Sequence, residues 1–399
     1  MNGILPAAAL LAGFLVLLLA ESRSLAAARR RVPRRLAVTG TRGKSSVTRL
    51  IAAALRGGGR TVLAKTTGSR PVLSGMDGAE RLITRTGPPT ILEQKRVLRK
   101  AAEVRADVLV AEMMGIRPEC LRAEAGRILK PDLLVITNAR VDHREEMGRT
   151  RDAAAAALSA AIVPGCTVLV AASEDHPAFH AAARRTGARI MLVPGRAPDG
   201  ETAARPGDDL EFPENRILAA AAAEMLGVPR DRAEAGMNAA VPDFGALRVW
   251  RLNRGSAGPY HCAVSAFAAN EPESTRRVLD RLAEIRPGLP ERRIGILNLR
   301  RDREDRTRQW LEAAGAGFFD GFAGILVVGH PAAPVAGRLR RCGPPDRFVL
   351  GMAGRDPVRI MAAAEARAGS LAAVFIGLGN IAGAGAALID LWDRAGEAA

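Results

Sequence analysis

The sequence predicts an α/β protein: a doubly wound parallel sheet carrying a phosphate-binding loop, then a second, smaller α/β domain, with a transmembrane helix in front. Three observations predict it. Short apolar strands alternate with Ala-rich helical stretches along most of the chain. One strand runs through Gly40-Thr41-Arg42-Gly43-Lys44-Ser45 straight into a helical pattern. Ile4 to Ala20 is an uncharged apolar run.

The apolar run comes first. It has about the minimum length for a membrane span, roughly 17–25 residues. Arg23, Arg29, Arg30, Arg31, Arg34 and Arg35 follow it, and its other flank carries no charged side chain. The positive-inside bias then places the bulk of the chain in the cytoplasm as a single-pass protein of the cell membrane. A cleaved signal peptide, with Ala26-Ala27-Ala28 as its small-residue site, is the competing reading. It lacks a positively charged leader, and export would separate a phosphate-binding loop from its nucleotide. The expected organisation is an anchor at 1–22, an Arg-rich linker at 23–35, a central domain at 36–245 and a C-terminal domain at 246–399.

In the central domain the expected strands are Leu36–Thr39, Thr61–Ala64, Val108–Ala111, Leu133–Thr137, Thr167–Ala171 and Arg189–Val193. Helices such as Ser46–Leu55, Gln94–Glu103 and Arg151–Ile162 fall between them. After a break at Val241-Pro242-Asp243-Phe244-Gly245 come Arg248–Leu252, Cys262–Ala266, Ile294–Leu299, Gly324–Val328, Phe348–Gly351 and Ala373–Gly377.

Composition excludes some classes. The net charge is +16, but the basic residues are mostly Arg, scattered over 399 residues and not gathered with aromatics, so a nucleic-acid partner is not expected. Cys120, Cys166, Cys262 and Cys342 lie far apart, and none belongs to a C-x-x-C pair. Neither a zinc site nor a disulfide framework is indicated.

The loop carries the chemistry. Backbone N–H groups of Gly40, Thr41, Gly43 and Ser46, with the following helix N-terminus, suit phosphate oxygens. Lys44 suits the terminal phosphates and the Ser45 hydroxyl suits Mg²⁺. Val38 stands where the usual motif has its first glycine. Ligands of open α/β sheets bind at the carboxyl ends of the strands. Glu112 ends one expected strand, and Thr137-Asn138-Ala139-Arg140-Val141-Asp142-His143 follows the next. They belong on the same rim as Lys44, although sequence alone does not say which strands are neighbours. His143 beside Asp142 is placed to share a metal or have its tautomer fixed. Arg42 can meet a phosphate or a substrate carboxylate in bidentate fashion.

Taken in order, Gly40–Ser45, Glu112 and Thr137-Asn138-x-x-x-Asp142-His143 resemble the central domain of the Mur ligase superfamily, whose third domain is Rossmann-like. Phe212-Pro213-Glu214-Asn215 resembles that family's adenine-touching helix start. Arg248 resembles its phosphate-reaching arginine, and Phe267-Ala268-Ala269-Asn270-Glu271-Pro272-Glu273-Ser274 its Asn-Pro loop. Within the superfamily, Arg42, the run through Thr48-Arg49, Lys65-Thr66-Thr67-Gly68, Phe267–Asn270 and the anchor most resemble the catalytic subunits of poly-γ-glutamate synthases.

The resemblance implies an ADP-forming acid–amino-acid ligase using ATP and Mg²⁺ on glutamate and a growing poly-γ-glutamate chain, with small membrane subunits as partners. It makes Lys44, Arg42, His143, Asp142 and Arg248 catalytic, Ser45, Glu112 and His143 metal ligands, and Asn138, Asn215 and Arg248 nucleotide contacts. A ligase acting on a small acceptor such as a folate, or a non-catalytic nucleotide-binding subunit of an export assembly, are the alternatives. The family's carbamylated lysine after the histidine has no counterpart, since the last lysine of the chain is Lys130.

Overall fold

The computed structural model describes residues 4–68, 70–142, 144–195, 211–252 and 260–398. The described chain forms two compact units, the first holding residues 4–195 and Phe212–Asp243, the second beginning at Phe244.

The first unit is built on an eight-stranded sheet. Its strands are β1 (Arg34–Thr39), β2 (Val62–Thr66), β3 (Val72–Ser74), β4 (Glu80–Leu82), β5 (Val108–Glu112), β6 (Leu133–Ile136), β7 (Thr167–Ala171) and β8 (Arg189–Val193). The order is β4-β3-β2-β5-β1-β6-β7-β8. The six strands from β2 to β8 along that order are parallel; the short β3 and β4 add an antiparallel edge. The sheet is therefore mixed, not wholly parallel. The central parallel strands are buried throughout, as a sheet covered on both faces requires.

Helices lie on both faces. On one, α2 (Lys44–Gly57) shares a core with the helices Pro213–Glu224 and Arg230–Asn238. On the other, α1 (Ile4–Arg31) and α3 (Glu93–Glu103) share a core with the Arg151–Leu158 helix. The packing is fine-grained because these helices press Ala against the sheet.

The expected linker is not a linker. α1 continues without a break to Arg31, and Leu25, Ala28 and Val32 are buried in the domain core. Glu21 pairs with Lys95 of α3 at 2.7 Å. Arg29 donates to the carbonyls of Arg127 and Ile128. Upstream the helix changes character: Leu10 to Leu19 carry large exposed apolar side chains. Ala7–Arg31 is long and apolar enough to cross a membrane.

The second unit is a seven-stranded sheet of β9 (Arg248–Leu252), β10 (His261–Ser265), β11 (Arg292–Leu299), β12 (Gly324–Gly329), β13 (Phe348–Met352), β14 (Ala373–Gly379) and β15 (Gly396–Ala398). The order is β13-β12-β11-β14-β10-β9-β15, with β9 and β15 antiparallel to their neighbours. Apolar clusters cover both faces. Phe267 belongs to one of them, stacked at 6.0 Å on Trp392. Glu271 caps the Pro272–Ile285 helix through the N–H groups of Glu273 and Ser274.

Candidate active site

The strand order supplies what the sequence leaves open. β1 lies between β5 and β6, with Val38 in register with Glu112 and Thr39 with Ile136. The carboxyl ends of these three strands thus deliver the loop, Glu112 and the Thr137–Asp142 segment to one rim.

β1 passes through a tight turn into α2. Gly40 has φ +133°, and a Cβ there would meet the Thr137 Oγ1 at 2.1 Å. Gly43 is left-handed at φ 77° and is the N-cap of α2, without a side-chain cap. The first N–H bonded within the helix is that of Val47, to the Gly43 carbonyl. The N–H groups of Gly43, Lys44, Ser45 and Ser46 are placed for anionic oxygens and favoured by the helix dipole, whereas the Thr41 N–H, expected at a phosphate, already donates to the Asn138 carbonyl at 3.1 Å. Lys44 folds back to donate from Nζ to the Gly40 carbonyl at 2.7 Å. Burial pushes its ammonium below the ordinary lysine value, while Glu112 and Asp142 pull it back up.

The Thr137 segment braces the loop. The Asn138 Oδ1 accepts from the Thr41 hydroxyl at 2.7 Å and the Arg42 N–H at 3.0 Å. The Arg42 carbonyl accepts from the Thr137 hydroxyl and the Asn138 amide. β6 ends at Ile136, one residue before the expected end, and the Thr137 N–H still donates to the Thr39 carbonyl at 2.9 Å. The Arg42 guanidinium lies 3.4 Å from the Asp142 carboxylate, both largely buried. One guanidinium nitrogen, Nη2, makes this approach. Asp142 likewise faces Arg42.

Glu112 is 2 % exposed. Its carboxylate accepts from the Ser45 hydroxyl at 2.8 Å, the Thr67 N–H at 2.7 Å and the Thr67 hydroxyl at 2.7 Å. Among the described residues no Lys or Arg forms an ion pair with it. A buried carboxylate held only by neutral donors, touching the loop serine, is suited to a hard divalent cation. Among the described residues no group of three His, Cys, Asp or Glu side chains is gathered as a metal cage. His143 lies outside the described residues. Magnesium commonly keeps several waters and takes few protein ligands, so Ser45 with Glu112 fits it.

Asn215 is near-buried, with its Oδ1 2.9 Å from where a Cβ on Gly43 would stand. The Pro213–Glu224 helix therefore begins against the loop. Ser46 sits in the first turn of α2. Within the second unit, Arg248 donates to Asp393 at 2.9 Å and lies over the Trp250 ring.

Sequence reasoning missed a buried polar layer behind Glu112. Lys65, fully buried on β2, pairs with Glu93 at 3.0 Å. Burial lowers the pKa of Lys65, with Glu93 opposing. Burial raises that of Glu93, but Arg85 and Lys65 outweigh it and leave it lowered. Gln94 and Glu124 lie beside them, fully buried. A lysine directly after the apolar run Val62-Leu63-Ala64 was the available signal.

Comparison with known proteins places this geometry. Residues 38–199 match the Mur ligase middle domain, and residues 255–395 match the poly-gamma-glutamate synthase CapB C-terminal domain. The capsule biosynthesis protein CapB of Bacillus anthracis is 31% identical over 367 residues, covering 90% of this chain and 76% of the relative. The PGA synthase CapB of Bacillus subtilis is 31% identical over 369 residues, covering 90% of each. The chain belongs to the CapB family. The CapB fold is in turn similar to the Mycobacterium tuberculosis folylpolyglutamate synthase complexed with ADP and AMPPCP. That match has a TM-score of 0.65 at 17% identity, over 94% of this chain and 96% of the other.

Proposed function

We propose that this chain is an ATP-dependent ligase that polymerises glutamate through γ-carboxyl amide bonds. Membership in the CapB family supports the reaction class. The observation that carries the site is the buried Glu112 carboxylate on the Ser45 hydroxyl, at the uncapped start of α2. The likeness to folylpolyglutamate synthase is one of fold and does not favour a small acceptor.

A carboxylate is a poor acyl donor. In the proposed sequence the γ-carboxylate of the chain end attacks the γ-phosphorus of ATP, the bond to the β-phosphate oxygen breaks, and ADP leaves with that electron pair. The amine nitrogen of the next glutamate then attacks the acyl phosphate carbonyl, an amide forms, the nitrogen loses its proton and phosphate departs. The N–H groups of Gly43 to Ser46 and the Lys44 ammonium bind the phosphates and stabilise charge as it moves to the leaving oxygen. Asn138 fixes the loop through Thr41 and Arg42, and Asn215 flanks it on the adenine side. Ser45, Glu112 and His143 would hold Mg²⁺, which supplies further neutralisation of phosphate charge. Arg248 is assigned to the phosphates.

The exposed apolar part of α1 is assigned as a single membrane span, with both units on the cytoplasmic side. Small membrane subunits would receive the polymer. Membranes bearing the protein, given ATP, Mg²⁺ and labelled glutamate, are expected to make a polymer whose hydrolysis reports γ-linkage. ATP consumption that ignores glutamate would overturn the assignment.

A further inference from the structure

The side chain of Glu112 is held by Ser45 and Thr67, but β5 ends at that residue and the chain must turn away at once. What fixes the turn is a pair of buried side chains outside the loop. The Gln94 amide nitrogen donates one hydrogen to the Glu112 carbonyl at 2.8 Å. Its other hydrogen goes to the Glu124 carboxylate at 2.7 Å. That carboxylate also accepts the Met114 N–H at 2.9 Å and the Gly115 N–H at 2.7 Å. So the two residues after Met113 are clamped from one side and Glu112 itself from the other.

Neither member of the clamp is where chance would put it. Both are fully buried, although Gln and Glu are rarely so. Glu124 opens a π-helical turn, Glu124–Leu129, that interrupts the helix begun at Pro118. Such turns are uncommon and concentrate near functional sites. Gly115 fits the clamp closely: a Cβ there would stand 2.9 Å from the Leu121 nitrogen and 3.1 Å from the Glu124 Oε2. A buried carboxylate with amide donors on both oxygens is costly unless its position is needed.

We infer that Gln94 and Glu124 are positioning residues of the nucleotide–metal site, setting where the Glu112 carboxylate stands relative to Ser45. The inference rests on the reading of Glu112 as a divalent-cation ligand. Side chains that orient a ligand from behind typically change metal affinity by about 10–100-fold when removed.

The test is binding of a fluorescent ADP analogue to the detergent-solubilised full chain, titrated with Mn²⁺ and repeated in chelator. Gln94→Met keeps the bulk and removes the amide; Glu124→Gln keeps the shape and replaces an acceptor with a donor facing donors. Either substitution is expected to lower Mn²⁺-supported affinity about tenfold and to raise the half-saturating Mn²⁺. Metal-free affinity should stay at the wild-type value. Unchanged Mn²⁺ dependence in the folded variants, or an equal loss with and without metal, overturns the inference. Should Gln94→Met not fold, Glu124→Gln decides by the same two curves. Absence of any Mn²⁺ dependence in the wild type instead overturns the reading of Glu112 itself.

Discussion

At the scale of single residues, the site sets unlike charges close together, with Glu112 and Asp142 buried beside a half-buried loop. Lys44 bonds main-chain carbonyls of its own loop, and burial depresses its pKa. A phosphate arriving beside it favours the charged form. Lys44→Ala is therefore expected to lower glutamate-dependent phosphate release by about 10²–10³-fold, the loss typical of one preorganised donor to a developing charge. Full activity in that variant, measured on membranes, would end the assignment of the loop. Lys65 is a different case, since it is buried among acids and touches no proposed ligand. Its folded-state pKa is lowered by desolvation from an ordinary value of 10.5. The unfolded chain then binds more protons than the folded one in the window between the lowered value and 10.5, so stability rises with pH there. Below that window the cost of the buried ammonium is present in full. Wild-type protein should accordingly gain stability relative to Lys65→Met as pH is raised through the window, read from denaturant midpoints. A constant difference between the two curves would show that Lys65 keeps its proton throughout.

At the scale of elements, the loop and the strands beside it were legible because each was encoded by neighbours in sequence. Leu36–Thr39 followed by Gly-x-x-Gly-Lys-Ser is a strand, a turn and a helix start in one stretch. Three things were not legible. The β3–β4 edge strands are too short to show a period. They are held from outside, by Arg49 on Glu80 and by Arg56 on the Ser74 hydroxyl and the Gly75 carbonyl. Gln94 and Glu124 carry no sequence signal of burial, and only the fold shows that they are fully buried. The segment after residue 22 read as a linker because its arginines were counted as solvated. The structure instead uses Arg29 and Arg35 as caps for the carbonyls of Arg127, Ile128 and Lys130, and buries Leu25 in the domain core. α1 is therefore two devices in one helix, and substitutions should separate them. Leu25→Ala, at 6% exposure, is expected to cost about 2–5 kcal/mol of stability. Leu15→Ala, at 50% exposure, should leave the thermal midpoint in detergent unchanged. Equal midpoints for the two variants would mean that α1 does not share the domain core.

At the scale of the whole molecule, the second unit carries Arg248, the residue proposed for the transferring phosphate, and shows how its side chain is held. Arg248 begins β9, donates one nitrogen to Asp393 and lies 4.9 Å over the Trp250 ring, while its Nε and Nη2 have no hydrogen-bond partner among the described residues. Asp393 is itself shared, since the Trp250 indole N–H also donates to it at 3.0 Å. The guanidinium is thus oriented by an aromatic face and half-satisfied by a carboxylate, which leaves donor capacity for an anion. If that anion is the transferring phosphate, Arg248 engages charge that develops in the transition state, and its loss must appear in turnover but not in initial nucleotide capture. Arg248→Gln is expected to lower kcat by about 10²–10³-fold, as for other donors that engage charge only in the transition state. The affinity for ADP, measured by direct titration of the full chain, should stay at the wild-type value. Asp393→Asn weakens the internal competitor while the amide oxygen still accepts from Trp250, so it should retain activity. A parallel loss of ADP affinity and turnover in Arg248→Gln would overturn a role confined to the transition state.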